Sequence, residues 1–178
     1  MHTTSTEPSK TALGPVAVDQ DELRSALSHF PSGIVAICAN VNDEPDGMIA
    51  TSFAVGVSYD PPLVSFSIQN ASRTWPRLRE SKRLGISVLG DSQADFCMQL
   101  ASRTRDRFTG IGFRCTEQGS ILLHGAALWF DCELSCEIPI GDHQLVVLEI
   151  KAIKAADGMA PLVYHASAIR TVTTLPHS

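Results

Sequence analysis

From Leu128 to Ile138 the chain alternates without a break, setting Leu128, Phe130, Cys132, Leu134, Cys136 and Ile138 against Trp129, Asp131, Glu133, Ser135 and Glu137. A period of two is that of a β-strand with one face in a core and the other polar. Such a strand needs partners, and the sequence supplies them. Residues 33–40 form an apolar, β-branched run too short for a typical helix, followed by a polar turn over 42–47 and a returning strand over 48–57. Asp60-Pro61-Pro62 breaks that strand, and 63–69 makes another with Val64, Phe66 and Ile68 on one face. Leu84, Ile86 and Val88 alternate as a further strand, 139–143 reads as a turn leading into a strand over 144–154, and 162–164 is a short last one.

Helical signals are few. Asp19 and Glu22 have capping-box spacing, and Leu23, Ala26, Leu27 and Phe30 recur at i, i+3, i+4 and i+7, which predicts a short packing helix closed by Pro31. A second short helix is expected over 72–81, with Ser72 or Thr74 as cap, and a third carries Phe96, Cys97, Leu100 and Ala101. Residues 109–119 read as irregular. About seven strands joined mostly by hairpins lack the alternation of strand and helix that a parallel sheet requires. The expectation is a mainly β domain, an antiparallel barrel closed or split, because closure hides sheet edges.

Composition bounds the rest. With 44% hydrophobic and 19% charged residues, the 178-residue chain suits one soluble domain, expected over 19–172 after a disordered tail over 1–18 that is rich in Thr, Ser and Pro and lacks a signal-like apolar core. No apolar run approaches the roughly 18 residues that cross a bilayer, so no membrane partner is expected. Five cysteines without a signal point to reduced thiols in a cytoplasmic setting. A net charge of −5 argues against nucleic acid, yet residues 73–107 hold eight cations against four acids, a local +4. That stretch suits either a phosphorylated small ligand or solvated helix faces.

Absent motifs narrow the chemistry further. There is no Walker A sequence, and Gly110-Ile111-Gly112 continues as Phe113-Arg114-Cys115, which does not complete a dinucleotide fingerprint. Cys132 and Cys136 sit four residues apart on a strand, about 13 Å, too far to share one metal ion, and both are expected in the core. No nucleophile elbow is present.

The segments 48–53 (Met-Ile-Ala-Thr-Ser-Phe), 58–64 (Ser-Tyr-Asp-Pro-Pro-Leu-Val), 70–74 (Asn-Ala-Ser-Arg-Thr), Gly141-Asp142-His143 and 162–165 (Leu-Val-Tyr-His) occur in an order that strongly resembles the short-chain flavin reductase family. The likeness runs from Phe30 to about Arg170. It implies an FMN-binding split β-barrel, a homodimer with sites near the subunit interface, reduction of FMN or FAD by NADH or NADPH, and delivery of reduced flavin to a partner monooxygenase. Two other readings keep a flavin: a split-barrel oxidase of the pyridoxamine-phosphate-oxidase kind with a retained FMN, and an electron-transfer module without a nicotinamide site. The chain departs from the family at Pro31 and at Ala166, Ser167, Ala168 and Ile169, where many members carry Gly and later an aromatic ring.

The candidate site residues follow the resemblance. Ile49, Ala50, Thr51 and Ser52 are expected at the flavin ring edge, although a strand whose hydroxyls serve their neighbours would look the same. Ser67 and Ile68 join them on the next strand. Ser72, Arg73 and Thr74 open a helix and suit a phosphate, or simply cap it. Lys82, with Arg83, is a second-rank phosphate candidate. Phe108 falls where the family places a ring near the flavin, but suits a core equally well. His143, after Gly141 and Asp142, is the nicotinamide-binding candidate and the one residue expected in catalysis, by stacking or hydrogen bonding. A surface histidine in a turn is the plain alternative.

Overall fold

The structure is a computed structural model that describes residues 19–102 and 106–173 together with Val16 and Leu175. The tail expected over 1–18 lies almost wholly outside the described residues. Helix α1 (Gln20–Leu27) opens the domain, with Asp19 Oδ1 accepting from the Asp21 N–H at 2.7 Å. There follow β1 (Ser32–Gly33), β2 (Val35–Val41), β3 (Glu44–Ala50), β4 (Ala54–Tyr59) and β5 (Pro62–Gln69). Helix α2 (Trp75–Leu78), β6 (Leu84–Val88), a 3₁₀ turn over Asp91–Gln93 and α3 (Ala94–Leu100) come next. The chain ends in β7 (Phe113–Cys115), β8 (Ile121–Leu123), β9 (Leu128–Ile140), β10 (His143–Ala155), β11 (Leu162–His165) and β12 (Ala168–Thr171).

Seven strands make one antiparallel sheet in the order β3-β2-β6-β9-β10-β5-β4, and its two edge strands are joined by residues 51–53. This is the split barrel. The long alternating strand is β9, which lies between β6 and β10. Phe130 and Cys132 enter the core as expected, but Cys136 and Ile138 are exposed. A register shift between Val147 and Leu148 of β10 marks the change, since a bulge re-aims the residues beyond it. Cys136 therefore leaves the core to which its alternation assigned it.

Two apolar clusters explain the continuous run at 33–40. Val35, Ile37 and Ala39 pack inside the barrel with Phe66, Leu84, Ile86 and Phe130. Ile34, Ala36 and Cys38 face the other way, against Leu89, Leu100, Ile121, Leu123 and Leu162. A strand buried on both faces has no polar alternation to show. The hairpin after it is tighter than the sequence suggests: Asn42 and Asp43, at φ 52° and 67°, form the whole turn, and Glu44 to Gly47 already belong to β3.

Two expectations change in the outer layer. Residues 109–119 are not wholly irregular, because β7 pairs with β8 as a short hairpin laid across β6. Its closest approach is at Gly85, where an added Cβ would sit 2.1 Å from the Ile121 carbonyl oxygen. Helix α1 carries the expected apolar stripe but buries none of it: Leu27 and Phe30 are 64% and 74% exposed. Its end is tied to the β11–β12 turn, where the Ala166 N–H donates to the Ser28 carbonyl at 2.7 Å.

Candidate functional site

A cleft of about 850 Å³ opens where the end of β3, the 51–52 connection, the end of β5, the approach to α2 and the first residue of β10 converge. Ile49, Ala50, Thr51, Ser52, Ser67, Ile68, Ser72, Arg73, Thr74 and His143 all line it. Three segments distant in sequence thus form one wall. Among the described residues strand β3 pairs with β2 alone, so alternate backbone N–H and C=O groups on its other side have no strand partner. The Gly47 carbonyl on that side accepts from Arg107 Nη1 at 2.8 Å.

The hydroxyls are unequally available. Ser52 Oγ donates to the Ser67 carbonyl at 2.9 Å and accepts from the Ser67 N–H at 3.0 Å, pinning the 51–52 connection to β5. Ser72 Oγ accepts from the Trp75 N–H at 3.2 Å, whereas Thr74, the alternative, occupies the N-cap position without a side-chain cap bond. Buried Thr74 receives Arg107 Nη1 at 2.9 Å. Helix α2 is a single turn, so it contributes little dipole, and the anion-attracting power of this end of the cleft resides in its cations. Arg73, Arg77 and Arg107 line the cleft, opposed by one nearby carboxylate, Asp46, which pairs with Arg77 at 2.6 Å and approaches Arg107 at 3.7 Å.

On the rim of the cleft, His143 opens β10 opposite Gln69 of β5, two residues after Gly141, whose φ of +57° suits a residue without a side chain. Its Nδ1 lies 2.6 Å from Asp142 Oδ1. The hydrogen bond from His143 holds the Asp142 carboxyl below its ordinary range, with a smaller contribution from the Arg24 guanidinium on α1. An ionised carboxylate can only accept, so Nδ1 carries the proton and the imidazole is held by that side. The turn is itself anchored, since the Asn70 N–H donates to the Asp142 carbonyl at 3.0 Å.

A family model described as a flavin reductase like domain matches residues 27–173. The chain belongs to that flavin reductase-like family. A flavin reductase of Pseudomonas putida is 31% identical over 153 residues, covering 84% of this chain and 88% of that one. An NADH:FMN oxidoreductase of Rhodococcus qingshengii is 31% identical over 171 residues, covering 92% and 88%. In three dimensions the chain is similar to nitrilotriacetate monooxygenase component B from Mycobacterium thermoresistibile, with a TM-score of 0.83 and 27% identity over 90% of this chain and 92% of that one.

Two residues expected from the flavin reductase-like resemblance do not line the cleft. Lys82 is exposed and acts on Glu133, while its neighbour Arg83 pairs with Glu133 at 3.1 Å and Asp131 at 3.5 Å on the outside of the sheet. Phe108 is buried in the outer core, edge-on to Phe113 at 5.8 Å. Its place beside Gly47 makes it a support behind β3, because a Cβ on Gly47 would lie 3.1 Å from the Phe108 ring. Arg77 and Arg107 line the cleft but were not among the candidate residues. Both lay in the basic stretch already noted, and Arg107 is the basic member of Asp106-Arg107-Phe108, the acidic-basic-Phe triplet that the resemblance places near the flavin, whereas only Phe108 of that triplet was put forward. The departure at Ala166 and Ser167 proves to be a tight turn, at φ 49° and 59°, and Ile169 after it packs against the outer core.

Proposed function

We propose that this flavin reductase-like chain binds FMN or FAD in the 850 Å³ cleft, reduces it with NADH or NADPH, and releases it to a partner monooxygenase. One observation carries the reading: His143 stands on the rim of the same cleft that holds the edge of β3 and the Arg73, Arg77 and Arg107 cations. A flat amphipathic ring needs an apolar wall, edge donors and a counter-charge, and the cleft supplies all three. Ile49, Ala50 and Ile68 form the wall, the open side of β3 faces the ring edge, and Arg73 and Arg107 face the phosphate.

The hydride chemistry is that of the two cofactors, and the protein supplies positions about 3–3.5 Å apart. Ser52 and Ser67 fix the wall; Arg107 fixes Thr74 and the segment before α2 against Gly47. His143, oriented by Asp142, accepts or stacks on the nicotinamide. The relatives named as a flavin reductase and an NADH:FMN oxidoreductase, and the monooxygenase component with the same fold, support this reading. We also propose residues 19–172 as the functional unit, a homodimer, and a cytoplasmic setting. The setting is favoured by five unpaired cysteines. No helix of the described residues is long and apolar enough to cross a membrane.

Steady-state oxidation of NADH and NADPH with FMN, FAD and riboflavin added in turn tests the activity. Acceleration by the phosphorylated flavins at lower concentration than by riboflavin is expected. No acceleration in any combination overturns the assignment.

A further inference from the structure

A second cavity, of about 460 Å³, lies between α1 and the β11–β12 hairpin, lined among others by Asp21, Arg24, Phe30, Ser32, Thr51 and Tyr164. Thr51 also lines the flavin cleft, so the two cavities share a wall. Helix α1 buries none of its own residues and is held through the Ser28 carbonyl and the edge contact of His29 with His165 at 6.2 Å. The helix therefore contributes a cavity wall rather than a core.

We propose that this cavity takes the adenosine half of the nicotinamide nucleotide and that Asp21 makes it select the nucleotide without a 2′-phosphate, NADH over NADPH. The proposal rests on the reductase reading above. A dinucleotide whose nicotinamide lies beside Thr51 and His143 must place its other half in space contiguous with that point, and the Thr51 wall opens here. The size falls within the range of small-molecule sites, roughly 300–1,000 Å³. The Phe30 and Tyr164 rings offer faces to a purine, and the hydroxyl of Ser32 offers a polar contact.

The charges decide the selection. Arg24 and Asp21 are the charged residues of the lining, and they are paired with each other at 3.4 Å. Asp142 lies within electrostatic reach of Arg24, which sets two carboxylates against one guanidinium. A carboxylate accepts from the hydroxyls of a free ribose, whereas a 2′-phosphate calls for a cation. A dianionic group here would meet Asp21 directly and would have to break its pair with Arg24. Arg24 suits the diphosphate, which both nucleotides carry.

The test compares kcat/KM for NADH and NADPH at saturating FMN in the full chain and in Asp21→Ser and Arg24→Ala. Expected are a preference for NADH of about tenfold or more, a ratio narrowed several-fold in Asp21→Ser by a rise in the NADPH value, and a raised KM for both nucleotides in Arg24→Ala. Flavin dissociation constants, read by fluorescence quenching, are expected to stay unchanged in both variants, since neither residue lines the flavin cleft. Equal use of the two nucleotides, a preference for NADPH, or a ratio unmoved by Asp21→Ser overturns the proposal while leaving the reductase reading intact. Oxidation of neither nucleotide overturns the reductase reading itself. As a second measurement on the unaltered protein, 5′-AMP is expected to compete with NADH better than adenosine 2′,5′-bisphosphate does, and the reverse order also overturns the proposal.

Discussion

His143 joins two requirements within one turn. Its imidazole must face the cleft, and it must not swing away when the nucleotide leaves. Asp142 meets the second by holding Nδ1 at 2.6 Å, and Asn70 holds the Asp142 backbone in turn. His143 forms only part of one wall of the cleft, which also holds the Arg73, Arg77 and Arg107 cations proposed to face the flavin phosphate. Removing the ring is therefore expected to act on the nicotinamide step. In His143→Ala, kcat/KM for the nicotinamide should fall by up to about 100-fold, the order of what a misplacement of about 1 Å costs, with the flavin dissociation constant unchanged. Unaltered kinetics, or a loss of flavin binding of the same size, would show that the residue serves another end.

At the scale of elements, sequence and structure agree wherever apolar residues alternate with small or polar ones along a strand. The alternations at β5, β6 and the first half of β9 each place their apolar members inside the barrel. Legibility stops where a second layer covers the other face. Gly85 and Ser87 lie opposite Leu84, Ile86 and Val88 on β6, and their small size is explained only by β8, which bonds to Ser87 through the Leu123 N–H at 3.0 Å. No local pattern announces a three-residue strand such as β8. The same holds at the site: the β3, β5 and α2 segments were readable as ordered motifs, but Arg107 acts through Gly47 and Thr74, far away in sequence. The β8 approach makes Gly85→Ala a sharp test, since the new methyl would sit 2.1 Å from a carbonyl oxygen and 2.6 Å from its carbon, both backbone. Overpacking of this kind costs about 1–3 kcal/mol, and backbone gives way less readily than a side chain. A urea titration should show the midpoint lowered by a loss of about 2 kcal/mol or more, with the slope unchanged. A midpoint equal to that of the unaltered protein would mean that β8 does not lie on β6 as described.

Across the whole molecule, apolar side chains remain outside both cores on one sheet edge. Among the described residues strand β4 pairs only with β5, and it exposes Val55 at 64%, Val57 at 47% and Tyr59 at 88%. Ile138 and Ile140, beyond the bulge in β9, are exposed as well. An uncovered apolar edge is a template for aggregation, and soluble proteins charge it, bend it or cover it. Here Gly56, at φ +70°, coincides with the register shift that bends β4, but the valines on either side carry no charge. Covering by a second copy is the arrangement that the proposed homodimer supplies, with an interface of about 800 Å² from each partner for stable association. Sedimentation equilibrium should then return twice the 19.2 kDa chain mass. A Val55→Asp/Val57→Lys pair should shift the protein to the single-chain mass while leaving the far-ultraviolet circular dichroism of the barrel intact, because neither side chain belongs to a core cluster. A single-chain mass for the unaltered protein would refute the dimer. A persistent dimer in the double variant would place the interface elsewhere, with the Ile138 and Ile140 end of β9 as the next surface to alter.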